Sequence, residues 1–238
     1  NSGNKYGLST STDTHMIKNS EWGAVAYLSH SKYGTCTNGT CVEVSMNGSN
    51  FTGGKCYYGA PVSNVINNEN KIKTLEKKIP KNTGSLKSLA NTEECVAYNT
   101  LNGKKASTTK NIYGVYDMSG GAYEYTMANT VDSDGTTMIS SSSGFNTRTY
   151  PNAKYYDKYS YSENYETRKR SKLGDGIKEV YNGSDGWYSD DSSLADSYNS
   201  WFNRGGYYRG GSNAGVFSSY SFDGYSYSNN SSRPVITP

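Results

Sequence analysis

The chain has 238 residues with 24 Tyr, 26 Gly and only 5 Pro. That length fits one large domain or two small ones; with no internal repeat and no linker, we read a single domain over residues 1–238. A formal charge of +3 argues against a nucleic-acid partner, and a mean hydropathy of −0.81 leaves no apolar run long enough for a membrane helix.

No signal peptide follows Asn1, so a targeting or anchoring segment, if the protein has one, would precede it. The first predicted element is a helix from about Asn19, read as its cap, with Glu21 suited to the positive end of the macrodipole. Trp22, Val25, Ala26 and Ser29 fall on one stripe with Leu28 beside it, and Gly34 is a natural stop. His30 ends this helix, where a cation favours the dipole, and His15 precedes it; both read as structural or surface residues.

Beyond Thr35 the chain is rich in Gly and Asn, and CVEVSM (41–46) alternates like a short strand. Cys36 and Cys41 bracket TNGT, an Asn-Gly turn signal that folds the chain back on itself. A local Cys36–Cys41 disulfide is expected, leaving Cys56 and Cys95 as a second pair and implying an oxidising, extracellular or cell-surface location. Zinc is the competing reading, weakened by the lack of a CxxC and by only two histidines.

A second helix is predicted over Asn68 to Ile79, where Ile72, Leu75 and Ile79 recur before Pro80, and a third from Ser85 or Thr92 to Tyr98. NIYGVYDMSGGAYEYTMAN (111–129) reads as a tight turn followed by a strand. Residues 130–200 read as irregular, with a short helix across Asp157 to Glu166. The basic run TRKRSK (167–172) reads as a solvated loop rather than an anion patch. The last part reads as short strands separated by glycine turns, giving an α+β class with small antiparallel sheets and many loops.

Catalysis is not legible in these residues. A nucleophile needs a base in reach, and no Ser-His-Asp set can be read here, so the chain is expected not to be an enzyme. Asp132 with Asp134, and Asp185 with Asp190 and Asp191, could hold a structural Ca²⁺, but turn formation explains those loops better. No other cofactor is expected.

The tail differs in kind. Tyr207, Tyr208, Arg209, Ser218, Ser219, Tyr220, Ser221, Phe222, Asp223, Tyr225, Ser226, Tyr227, Ser228 and Asn229 lie between Arg204 and Arg233. This vocabulary resembles that of antibody loops, in which Tyr gives broad contact at small entropic cost and Ser or Asn adaptable hydrogen bonds. We expect these residues to form an exposed ligand-binding surface within about 204–233.

GVYDMSGGAYEYT (114–126) resembles the GxYDMSGNVWEW motif of the formylglycine-generating-enzyme-like branch of the C-type lectin fold. WFNRGGYYRGGSNAGVF followed by SSRPVI is similar to that branch's RGGSW and FRPV signatures, and THMIKNSEWGAVAYLSHS to its opening helix. Enzymes of the branch need cysteines in the C-terminal part of the domain, and none follows Cys95. The EPN and WND calcium signatures of lectins proper are absent as well. Closer still is the resemblance to the variable proteins of diversity-generating retroelements, although Tyr123 and Tyr125 stand where the motif has Trp. Their diversification rewrites adenines, chiefly in Asn codons, which reaches Tyr, Ser, Asp, Phe, Gly and Arg. The resemblance implies a C-type-lectin-like scaffold displaying diversified C-terminal residues to a protein or glycan on another cell or phage. It also implies pilus or cell-envelope attachment through a preceding segment. A pilin-like structural subunit and a degenerate enzyme of the branch are the alternatives.

Overall fold

The computed structural model describes residues 8–9, 11–46, 101, 103–131, 151–161, 171–183 and 185–237. The helices expected at 68–79 and 85–98, Cys56, Cys95, Asp132, Asp134 and most of the basic run lie outside them. The described part is mixed α/β, with one α-helix among short strands and loops. None of its helices is long and apolar enough to cross a membrane.

Strand β1 (Asp13–Met16) leads into helix α1 (Asn19–Ser29), which is followed by the hairpin β2 (Cys36–Thr37) and β3 (Thr40–Cys41). Asn38 and Gly39 form its turn with φ of 51° and 80°. Asn and Gly are the residues that tolerate this left-handed pair, which matches the twist of a tight hairpin. Cys36 and Cys41 pair across it in the expected disulfide. Of CVEVSM, only Cys41 is in a strand; pairing stops there, and Val44 turns into the core instead.

Strands β4 (Tyr123–Val131), β5 (Asp157–Ser160), β6 (Trp201–Arg204), β7 (Ser219–Phe222) and β8 (Asn230–Ser232) form the main sheet. Its order is β5-β4-β6-β7, with β8 alongside the start of β4; β5 and β8 run parallel to β4, so this sheet is mixed rather than antiparallel as expected. Strand β9 (Pro234–Thr237) closes the domain by pairing with β1, Asp13 opposite Thr237. The turn-then-strand reading of 111–129 and the strand-and-glycine-turn reading of the tail are both observed. Asp157 to Ser160 is a strand rather than the start of a helix, because its register on Ala128 to Val131 buries Tyr159.

Asn19 is not the helix cap. Its side chain is buried, donating to the Tyr159 hydroxyl at 3.1 Å and accepting from Arg204 Nη1 at 2.9 Å. The free helix amides are met by two carboxylates instead. Glu21 accepts the Lys18 amide at 2.9 Å, and Asp157 on β5 accepts the Ser20 amide at 2.8 Å. The helix buries Trp22, Gly23, Ala26 and Ser29, half-buries Val25 and leaves Leu28 exposed.

Trp22 organises the centre. It is fully buried, its indole N–H donates to the Val216 carbonyl at 2.8 Å, and it packs with Ile17, Met118, Val216 and Phe217. Arg204 and Arg233 both lie over its ring, at 5.8 and 5.7 Å from the centroid. Arg233 also donates to the Glu124 carboxylate and to the carbonyls of Tyr116 and Asp117. Gly205 and Gly206 follow Arg204 with φ of 82° and 68°. A Cβ on Gly206 would lie 2.6 Å from Ala214, so this bend needs glycine on two counts.

A second cluster, Ala128, Tyr159, Ile177, Leu194 and Phe202 among its members, fills the space around β5 and β6. Asp190 is fully buried and accepts the Phe217 amide at 2.9 Å. Burial, with the Glu43 charge adding to it, pushes its pKa up to about 8. The folded protein therefore keeps this proton through neutral pH, whereas the unfolded chain loses it near pH 4. The sign follows: stability from this group is complete below pH 4 and declines as pH rises toward 8. Asp190→Asn should remove that decline, so the variant gains about 2–3 kcal/mol on wild type between pH 5 and 7. Urea unfolding of both proteins at the two pH values checks this; parallel pH profiles would disprove it.

Candidate functional site

Alternation along β7 sends Tyr220 and Phe222 to one face of the sheet and Ser219 and Ser221 to the other. Register sets Phe222 opposite Trp201, and Tyr220 opposite Asn203. On the other flank of β6, Tyr125 also lies opposite Asn203, and Asn129 opposite Trp201. The rings of β4 and β7 meet above β6, with Tyr123 lying 5.1 Å from Tyr220 and 5.2 Å from Phe222, centroid to centroid. Tyr125 sits edge-on to Trp201 at 5.8 Å and to Phe222 at 6.2 Å.

Two loops extend this aromatic face. After β6, Tyr207 stacks on Tyr123 at 4.9 Å, Tyr208 lies 5.7 Å from Tyr207, and the Arg209 guanidinium sits 5.2 Å above Tyr208. After β7, Asp223 shapes the turn: it accepts the Tyr225 amide at 2.9 Å and the Tyr227 hydroxyl at 2.8 Å. The Tyr125 hydroxyl donates to the Tyr225 carbonyl at 2.9 Å, tying this loop to β4. Tyr225 and Tyr227 are 40% and 45% exposed, and Ser226, Ser228 and Arg209 are also exposed. Tyr207, Tyr208, Tyr220, Ser221, Phe222, Asp223 and Asn229 are half-buried.

Ser218 and Ser219 do not belong to this surface. Both are fully buried: Ser219 at an inward position of β7 and Ser218 in the segment just before the strand. The Ser218 carbonyl accepts from Arg204 Nε at 2.9 Å, and the Ser219 carbonyl accepts the Ser193 amide at 2.7 Å. Ser221 anchors the strand through its amide, which donates to Ser193 Oγ at 2.9 Å. Asn229 likewise contributes backbone, its carbonyl accepting the Tyr123 amide. The tail thus divides into anchoring serines and outward rings.

Composition missed Tyr123, Tyr125 and Trp201, the floor on which the tail rings rest. For the two tyrosines the signal was the Tyr-Glu-Tyr alternation at 123–125, which marks a common face without saying which face. Burial raises the phenol pKa values of Tyr123 and Tyr220, and lifts that of Tyr125 to about 12. The hydroxyls therefore stay protonated at neutral pH and can donate hydrogen bonds. Beneath the rings, Asn203 and Asn129 are fully buried, and among the described residues neither the amide oxygens nor the amide nitrogens have a hydrogen-bond partner.

Other candidate chemistry lies apart from this set. His15 pairs with Glu21 at 2.9 Å and His30 with the Tyr188 hydroxyl at 2.8 Å. Burial lowers the His30 pKa, so the helix end is not served by a histidine cation as expected. Among the described residues, the acidic side chains of 185–191 do not gather as a Ca²⁺ ligand set; His30, Cys36 and Cys41 are the three potential ligands that converge. A cavity of about 330 Å³ lined by Pro151, Ala153, Tyr156, Asp157, Lys158 and Lys172 contains none of the tail residues. Comparison of the chain with protein-family models, with curated proteins and with solved structures finds no match in any of the three.

Proposed function

We propose that this is a surface-displayed ligand-binding protein of receptor or adhesin type, with the aromatic face of the main sheet as its binding site. The carrying observation is that Tyr225, Tyr227 and Arg209 are exposed and Tyr208 half-buried beside the inner rings of Tyr123, Tyr125 and Phe222, and that none of the four is a member of the core cluster of Trp22, Met118, Val216 and Phe217. Such a division lets outward residues change without loss of fold, as a diversified surface requires. Protonated phenols, the exposed Arg209 guanidinium and the exposed Ser226 and Ser228 suit a protein or glycan ligand recognised by shape and hydrogen bonding. The Cys36–Cys41 bridge agrees with an extracellular or cell-surface location.

The scaffold we assign is the C-type-lectin-like domain of diversity-generating retroelement variable proteins, spanning residues 1–238. In favour of it, the motif residues Trp22, Met118, Gly205 and Arg233 meet at one point: a Cβ on Gly205 would lie 3.3 Å from both the Met118 carbonyl and the Trp22 ring. Flanking DNA tests the diversification directly. A reverse transcriptase gene and a near-duplicate repeat with Asn codons at 207–229 are expected, and their absence would remove that part of the reading.

Binding is tested by Tyr225→Ser with Tyr227→Ser. Because both rings are exposed, stability should change by less than about 0.5 kcal/mol per site. Attachment of the labelled protein to its target cells or phage should fall at least tenfold. Undiminished attachment would locate the site elsewhere.

A further inference from the structure

We propose that reduction of the Cys36–Cys41 bridge converts the C-terminal end of α1 into a Zn²⁺ site, with both thiolates and His30 as ligands and one position left open. Cys36 and Cys41 face each other across the hairpin, and their sulfurs and a ring nitrogen of His30 lie within 4.8 Å of one another. A tetrahedral centre with Zn–S near 2.3 Å and Zn–N near 2.0–2.1 Å puts ligand atoms about 3.5–3.8 Å apart. Side-chain rotation after S–S cleavage supplies that spacing. All three residues are half-buried, so solvent and metal can reach them.

The convergence does not depend on the disulfide. The Thr35 amide donates to the Ser29 carbonyl at 2.6 Å, and the Cys36 amide to the Ser31 carbonyl at 3.1 Å, lashing the hairpin to the helix end. The imidazole is also held: Trp187 packs on it at 4.5 Å, Phe217 meets it edge-on at 6.0 Å, and the Tyr188 hydroxyl is 2.8 Å from Nδ1. Tyr188 and Ser189 adopt φ of 64° and 67° to place that turn. A left-handed pair of non-glycine residues is costly, and such strain collects at functional positions. Two thiolates and an imidazole form a soft donor set that suits Zn²⁺ and disfavours Ca²⁺ or Mg²⁺.

The chemistry balances with a trialkylphosphine as reductant. The phosphine gives two electrons to the S–S bond and takes oxygen from water to become its oxide; the two water protons go to the sulfurs. Zn²⁺ then displaces both thiol protons to solvent. In an oxidising exterior the bridge is the resting form, and the metal site belongs to the reduced chain.

The test uses the full chain with Cys56→Ser and Cys95→Ser, which removes the other thiols. After phosphine reduction, titration with Co²⁺ should give one equivalent bound, with tetrahedral d–d bands and thiolate-to-cobalt charge-transfer absorption, both erased by Zn²⁺. His30→Ala and the milder His30→Gln should each weaken Zn²⁺ at least tenfold, while adding Cys36→Ser and Cys41→Ser should abolish uptake. Circular dichroism of the oxidised His30 variants checks that they fold. Equal Zn²⁺ affinity in parent and both His30 variants, no thiolate-to-cobalt band, or uptake by the oxidised chain would overturn the proposal.

Discussion

Arg204→Met is expected to destabilise the protein by about 3–5 kcal/mol, the range found when one member of a buried ionic network is removed. Arg204 is fully buried, and its guanidinium serves acceptors from three distant parts of the chain. They are the Ser218 carbonyl, the Asn19 side chain and the Asp175 carbonyl, each at 2.9 Å. Methionine fills similar volume but leaves all three acceptors unmet. It also removes the cation that offsets the buried Asp175 carboxylate, whose pKa burial already raises against the pull of the Lys172, Ile177 and Lys178 amides. Chemical denaturation measures the loss directly. A change below 1 kcal/mol would mean that water or a rearranged backbone meets those acceptors without cost. The aromatic face should lose order along with the core, because Arg204 ends the strand that precedes Tyr207 and Tyr208.

Tyr123→Ala is the second large effect, expected at about 3–5 kcal/mol as for other aromatic truncations in packed settings. The ring is nearly buried and touches Tyr207, Tyr220 and Phe222. Without it the face loses its keystone and the loop after β6 loses its anchor, so ligand attachment should fall together with stability. Phe222→Ala should behave in the same direction, since it joins Tyr123, Tyr125 and Tyr227. The contrast with Tyr225→Ser and Tyr227→Ser is what the reading requires: inner rings support, outer rings recognise. Thermal unfolding and attachment, measured on the same preparations, separate the two. If Tyr123→Ala left the melting temperature unchanged, the inner rings would be ornament rather than platform.

Much of the local structure was legible because it depends on neighbours in the chain. Asn-Gly between Cys36 and Cys41 set a hairpin whatever surrounds it. The helix from Asn19 and a strand within 111–129 announced themselves by period, though the strand runs on to Val131, and the glycines after Arg204 by their bends. The disulfide followed from the same turn, since the two cysteines needed no tertiary help to meet.

What stayed hidden was which side faces inward. A period of two marks alternating faces but not the core, so Ser218 and Ser219 read like their exposed neighbours Ser226 and Ser228. Asn19 looked like a cap because its side chain is short and polar; Arg204 lies 185 residues away in sequence and claims it. The apparent helix at Asp157 was overruled by β4, which offers a strand partner no local pattern reveals. Residue types and turns therefore determined the elements and the tyrosine-rich vocabulary of the tail. The division of that tail into anchor and surface was decided only in three dimensions, where burial and hydrogen bonding between remote segments outweigh any local preference.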